Sequence, residues 1–303
     1  MTTASPPLAT VHSHVWTWQG FAIRYQQAGS TGHPILLVHG FGAHSDHWRK
    51  NLPVLGQTHR VYAIDLIGYG QSDKPKPGDG IDYTFETWGE QVIAFCQAII
   101  GEPAYMAANS IGCVVVMQAA VQSPDWVTGL VLMDCSLRLL HDRKRQTLPW
   151  YRSAPTPYIQ KLLNYRPLGR FFFSRLATPR TVSRVLKQAY GHPEAVTDEL
   201  VQLLLAPARD PNAVDVFLAF ISYSQGPIPE DLLPQLTCPV HIIWGEVDPW
   251  EPLALARAYG DYPAVQDFVV LPGVGHCPQD EAPERVNPLV RDWVTGDLKK
   301  NTP

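Results

Sequence analysis

Short apolar runs, each closed by turn residues, alternate with stretches of helical periodicity along most of this 303-residue chain. A brief apolar run lying between helices is a strand buried on both faces, and a series of them implies a largely parallel sheet covered by helices. Val15–Trp18 and Phe21–Ala28, joined at Gln19-Gly20, read as an antiparallel hairpin. Six further runs follow: Ile35–His39, Val61–Leu66, Ala104–Asn109, Val127–Asp134, Val240–Trp244 and Phe268–Leu271. Helical patterns occupy Asp46–Leu55, Thr84–Ile100, Ile111–Gln122, Pro252–Tyr259 and Ala282–Thr295. The pattern predicts an open, twisted, mostly parallel sheet of eight strands with helices on both faces, and there is no internal repeat.

The alternation breaks between Leu137 and about Leu236, where apolar residues recur at helical spacing, prolines are frequent and no strand pattern is visible. That stretch reads as a helical cap inserted after the sixth strand, dividing the chain into core (1–136), cap (137–236) and core (237–303). Its charge is one-sided. From Leu137 to His192 there are twelve Lys or Arg and one acid, Asp142, which leaves 12 basic and 27 acidic residues elsewhere.

The overall charge of −4 gives no reason to expect nucleic acid as a partner, and no apolar run reaches the length of a bilayer span. Met1–Thr10 has no basic residue and no apolar segment, unlike a secretory signal. Five cysteines (Cys96, Cys113, Cys135, Cys238, Cys277) are scattered without C-x-x-C pairing, so neither a disulfide framework nor a zinc site is expected, and a reducing, cytoplasmic setting fits them.

The chemistry centres on Ala108-Asn109-Ser110-Ile111-Gly112, where the fifth strand meets a helix. A nucleophile on a sharp strand-to-helix turn needs small residues two before and two after it, because the backbone reverses tightly there. A serine hydroxyl also needs a base. His276, in Gly273-Val274-Gly275-His276-Cys277-Pro278 just past the last strand, reaches the same sheet edge and is a residue type that accepts and returns protons near neutrality. Asp248, which closes the preceding strand and its turn, is the candidate acid to orient the imidazole. Asp134, at the end of the sixth strand, is the rival. For an oxyanion, the donors expected are the amides of Ile111 and of Phe41 in His39-Gly40-Phe41-Gly42. His39 reads as structural, Tyr69 as architectural, Trp16, Trp18 and Trp250 as packing, and Glu246 as solvated or supporting its loop. His44 and His47 lack a third ligand, so no metal site is assigned, and no cofactor is implied.

With these blocks in view, the chain resembles the α/β-hydrolase family that includes the chlorophyll dephytylases and pheophytinases of photosynthetic organisms. The resemblance rests on Val38-His39-Gly40-Phe41-Gly42, Tyr62–Gly70, Ile100–Tyr105 leading into Asn109-Ser110-Ile111-Gly112, Trp244–Trp250 and Gly275–Glu284. It covers about residues 20–295 but not the cap. Ala108 and Cys113 stand where that family usually has glycine, which is expected to narrow the pocket beside Ser110. The resemblance implies the α/β-hydrolase fold and hydrolysis of the ester joining phytol to the chlorin propionate. A substrate that apolar must be met at a membrane or in a protein complex. The basic cap, with Trp150, Tyr151, Tyr158, Tyr165, Phe171, Phe172 and Phe173 among its cations, is accordingly expected to make peripheral contact with an anionic membrane, such as the thylakoid. Two other readings stay open: a carboxylesterase or lipase acting on another apolar ester, and a ligand-binding receptor or assembly factor of the same fold with little turnover.

Overall fold

Gln19 and Gly20 both take positive φ (51° and 87°), the two-residue turn whose twist matches that of its flanking strands. In the computed structural model, which describes residues 7–145 and 165–296, this turn joins β1 (Val11–Trp18) to β2 (Phe21–Ala28) as an antiparallel hairpin. The remaining strands are β3 (Pro34–Val38), β4 (Arg60–Ile64), β5 (Ala104–Asn109), β6 (Val127–Met133), β7 (Val240–Gly245) and β8 (Val265–Leu271). They form one eight-stranded sheet in the order β1-β2-β4-β3-β5-β6-β7-β8, parallel from β4 onward.

Every residue of β3 is buried, and the pleat divides them. Leu36 and Val38 join the larger apolar cluster on one face, Ile35 and Leu37 the cluster on the other. Each such side chain contributes about 1.5–3 kcal/mol by leaving water. Helices α1 (Phe85–Phe95) and α2 (Ile111–Gln122) belong to the first face. Residues of α2 are apolar nearly all round, as a helix enclosed by the core must be.

Among the described residues between β6 and β7, every regular element is helical. The longer ones are α3 (Arg166–Leu176), α4 (Pro179–Ala189), α5 (Asp198–Leu205) and α6 (Ala213–Ser222). The last helix, α7 (Pro283–Thr295), buries Val286, Val290, Trp293 and Val294 against the second face and ends at Gly296 (φ 73°). No helix among the described residues is long and apolar enough to cross a membrane, and all five cysteines are free.

Candidate active site

Ser110 closes β5 and opens α2 with φ 56° and ψ −121°, a combination that non-glycine residues adopt only under local constraint. The constraint is visible. The Ser110 N–H donates to the Met133 carbonyl at 3.0 Å, and the Ser110 carbonyl accepts from the amides of Cys113 and Ser136. A Cβ on Gly112 would lie 2.6 Å from the carbonyl oxygen of His39, so the turn admits nothing larger there. The expectation that Ala108 and Cys113 narrow the pocket does not hold. Neither lines the cavity, because the Cys113 thiol turns into the sheet and donates to the Ala108 carbonyl at 3.2 Å.

His276 and Asp248 meet as expected, with Nδ1 of the imidazole 2.7 Å from Asp248 Oδ2. The other Asp248 oxygen accepts the amides of Trp250 (2.8 Å) and Glu251 (3.1 Å). Burial would raise the Asp248 carboxyl, but the hydrogen bond and charge of His276, with help from Asp134 and the Trp250 amide, hold it below its ordinary value. The loop carrying His276 is tied down twice: its N–H donates to the Ala189 carbonyl at 2.8 Å, and its carbonyl accepts the Asn109 side-chain amide at 2.9 Å. No hydrogen bond joins Ser110 to His276 in this structure. Both face one cavity of about 500 Å³, together with Phe41, Ile111, Trp250 and Glu251. A catalytic contact that tightens only when substrate binds is common in unliganded enzymes.

Phe41 and Ile111 flank Ser110 on the cavity wall, and neither amide has an acceptor among the described residues. The opposite wall is apolar and comes from the helices between β6 and β7, with Phe173 and Leu176 on α3, Val182 and Val185 on α4, and Phe217 and Phe220 on α6.

Several side chains do other work than their sequence context suggested. Trp250 is not packing alone, since it lines the cavity and meets the His276 ring edge-on at 4.9 Å. Tyr69 and His47 also line the cavity. Three residues escaped the sequence reading: Asn109, which links the serine turn to the histidine loop, and Glu281, whose carboxylate accepts the amides of Gly275, Cys277 and Gly191. The third is Glu251, pushed up to about 7 by burial. An acid three residues beyond Asp248, and a polar residue ending an apolar strand, were the available signals. His39 is structural as read: burial drives it down to about 4, while Nδ1 meets the Gly40 carbonyl and Nε2 accepts the Leu66 amide. His44 reaches the Leu203 carbonyl and Asp46, and His47 the Tyr190 hydroxyl. Glu246 accepts the Gly273 amide across its loop.

Asp134 is wholly buried beside this pair, and one ligating atom each from Asp134, Asp248 and His276 lies within 4.8 Å of the others. The imidazole–carboxylate hydrogen bond accounts for two members of that group.

Of the basic stretch, Arg143 pairs with Asp231 (2.6 Å) and Lys144 with Glu230 (2.7 Å), while Arg138 donates to the carbonyls of Pro227 and Tyr223. Arg170, Arg175, Arg180, Arg184 and Lys187 are exposed on α3 and α4, with no acidic partner among the described residues. Trp150, Tyr151 and Tyr158 lie outside the described residues.

A family model described as Alpha/beta hydrolase family matches residues 35–289. A chloroplastic pheophytinase of Arabidopsis thaliana is 26% identical over 93% of this chain, which spans 66% of that protein's length. The uncharacterized hydrolase YugF of Bacillus subtilis (strain 168) is 25% identical over 92% of the chain and 96% of its own. Among solved structures, a thermophilic esterase from Thermogutta terrifontis superposes with TM-score 0.71 at 23% identity, covering 96% of this chain and 99% of its own. The epoxide hydrolase CorEH superposes with TM-score 0.76 at 20% identity, covering 95% of this chain and 100% of its own. These two likenesses concern the fold.

Proposed function

The chain belongs to the alpha/beta hydrolase family, and from that premise we propose that it hydrolyses a carboxylic ester of an apolar substrate through an acyl-enzyme on Ser110. The observation that carries this reading is the strained Ser110 turn, which faces an apolar cavity shared with a His276 whose Nδ1 is held by Asp248. Ser110 Oγ attacks the ester carbonyl while His276 Nε2 takes its proton. The carbonyl oxygen, now negative, accepts from the amides of Phe41 and Ile111. Collapse expels the alcohol, which leaves with the proton from His276, and water repeats the sequence on the acyl-enzyme to release the acid. A serine in this place favours acyl transfer over dehalogenation or epoxide opening, which in this fold proceed through an aspartate nucleophile.

The substrate we infer is a phytyl ester of the chlorophyll or pheophytin type. Support comes from the similarity to a pheophytinase and from a cavity whose far wall, built from α3, α4 and α6, suits a branched hydrocarbon chain. The helical segment between β6 and β7 then acts as the lid over that chain. For a partner, we place contact with an anionic membrane on α3 and α4, where five exposed cations stand with Tyr165, Phe171 and Phe172. Arg143 and Lys144 are already engaged by acids.

A panel of chlorophyll a, pheophytin a, chlorophyllide methyl esters and p-nitrophenyl esters, given to wild type and Ser110→Ala, tests the reading. The expected result is multiple turnover with phytol release, abolished in the variant. Cleavage of p-nitrophenyl esters alone would move the assignment to a general esterase, and binding without turnover to a receptor.

A further inference from the structure

Asp134 directly follows β6, at a positive φ of 44°, and has no part in the scheme above. Its Oδ1 accepts the Gly245 N–H at 2.9 Å. Its Oδ2 is buried and has no donor among the described residues. A bare carboxylate oxygen in such a place is strongly disfavoured. One ligating atom of Asp134 lies within 4.8 Å of one from Asp248 and one from His276. Asp248 accepts from His276 through Oδ2 and from the Trp250 and Glu251 amides through Oδ1. A carboxylate has about four lone-pair sites, so one remains. Two ionised carboxylates cannot share so dry a site, whereas one proton between them satisfies both.

We propose that Asp134 is a positioning residue of this site, holding its carboxyl proton and donating it to Asp248, so that the pair carries one negative charge. The proposal rests on the serine-hydrolase reading. Burial, and then the charge of Asp248, push Asp134 well above the carboxylate range, in line with the geometry. The other titratable groups around the pair are the Cys113 thiol of α2, the Cys277 thiol after β8, driven upward by burial, and Glu251, raised to about 7. Asp134 thus spares His276 a second carboxylate charge and fixes the face that Asp248 presents to it. With two charges beside it the imidazolium would be overstabilised and slow to return its proton.

The test compares Asp134→Asn and Asp134→Leu with wild type, using a soluble p-nitrophenyl ester from about pH 5 to about 9. Asparagine keeps both the acceptor for Gly245 and a donor to Asp248. It should hold kcat within about threefold and the midpoint of the acid limb of kcat/KM within about 0.3 unit. Leucine can do neither, so kcat should fall about tenfold at unchanged KM, with the midpoint moved upward. A midpoint that drops by about a unit or more in Asp134→Asn would mean that the native residue is charged. A folded Asp134→Leu with wild-type kcat and profile would reduce Asp134 to packing. Should Asp134→Leu not fold by thermal unfolding, Asp134→Asn still decides. Infrared spectroscopy at about pH 8 gives a readout independent of turnover, because the carbonyl stretch of a buried protonated carboxyl should be present in wild type and absent from Asp134→Asn. If Ser110→Ala and Asp248→Asn kept full activity, the serine-hydrolase reading with its Ser110–His276–Asp248 triad would fall, while the infrared band would still judge the proton.

Discussion

Asp248 accepts from His276 and from two backbone amides, so its orientation is fixed before any substrate arrives. Asp248→Asn should therefore keep the fold yet lower kcat by about 10⁴, through loss of tautomer control and of charge compensation. Steady-state kinetics decide, and a variant keeping a tenth of wild-type kcat would point to a different acid. Glu251 yields a stability prediction. Its folded value, about 7, lies above the ordinary 4.5 because of burial. Stability from this raised value is fully present below the unfolded value and is lost as pH rises through the folded one. Glu251→Gln should thus gain on wild type between pH 5 and 8, by on the order of 2–3 kcal/mol. Urea unfolding at the two pH values checks this, and parallel pH–stability curves would contradict it. The placement of Ser110, Asp248 and His276 was legible in the sequence because each lies on a short segment following an apolar strand, with glycines near Ser110 and His276. Asn109 was not. Its partner, the His276 carbonyl, is 167 residues away, and nothing local signals a side chain that braces a distant loop.

At the scale of elements, the inner strands β3 to β7 were legible because nearly every residue is buried and the apolar run is continuous. β1 begins at Val11, four residues before the apolar run at Val15. An edge strand exposed along most of its length carries no hydrophobic pattern, and backbone pairing with β2 defines it instead. The helix read over Asp46–Leu55 is a 3-10 turn, Ser45–Trp48, followed by a short helix, Leu52–Leu55. Pro53 lacks the N–H that a continuous helix would need. The attachment of α4 to the core can be tested at its end. Buried Tyr190 donates its hydroxyl to Asp280 at 2.8 Å and meets His47 Nε2 at 3.1 Å. Tyr190→Phe leaves both groups short of a partner and should cost about 1–3 kcal/mol in denaturant unfolding. A change within experimental error would show that water replaces the hydroxyl.

At the scale of the molecule, a small net charge conceals two parts of opposite sign, twelve basic residues against one acid between Leu137 and His192 and 12 basic against 27 acidic elsewhere. The sequence could locate this imbalance but not say which cations pair internally, because Asp231 and Glu230 lie 88 and 86 residues from Arg143 and Lys144. If the outward face of α3 and α4 docks on lipid, co-sedimentation with anionic vesicles should fall with added salt. A combined Arg170→Glu, Arg175→Glu, Arg184→Glu variant should weaken it at least about tenfold, since each basic residue near such a surface is worth roughly 1 kcal/mol. Hydrolysis of a soluble ester should be unaffected. Equal, weak binding to neutral and anionic vesicles would leave these helices as a wall of the cavity only. Acyl transfer requires covalent chemistry at one atom, Ser110 Oγ, and the most direct measurement is the mass of the protein after exposure to a fluorophosphonate. One adduct on the peptide bearing Ser110, absent in Ser110→Ala and much slowed in His276→Ala, is the predicted result. No adduct, or one on another residue in a chain that still turns over esters, would contradict it.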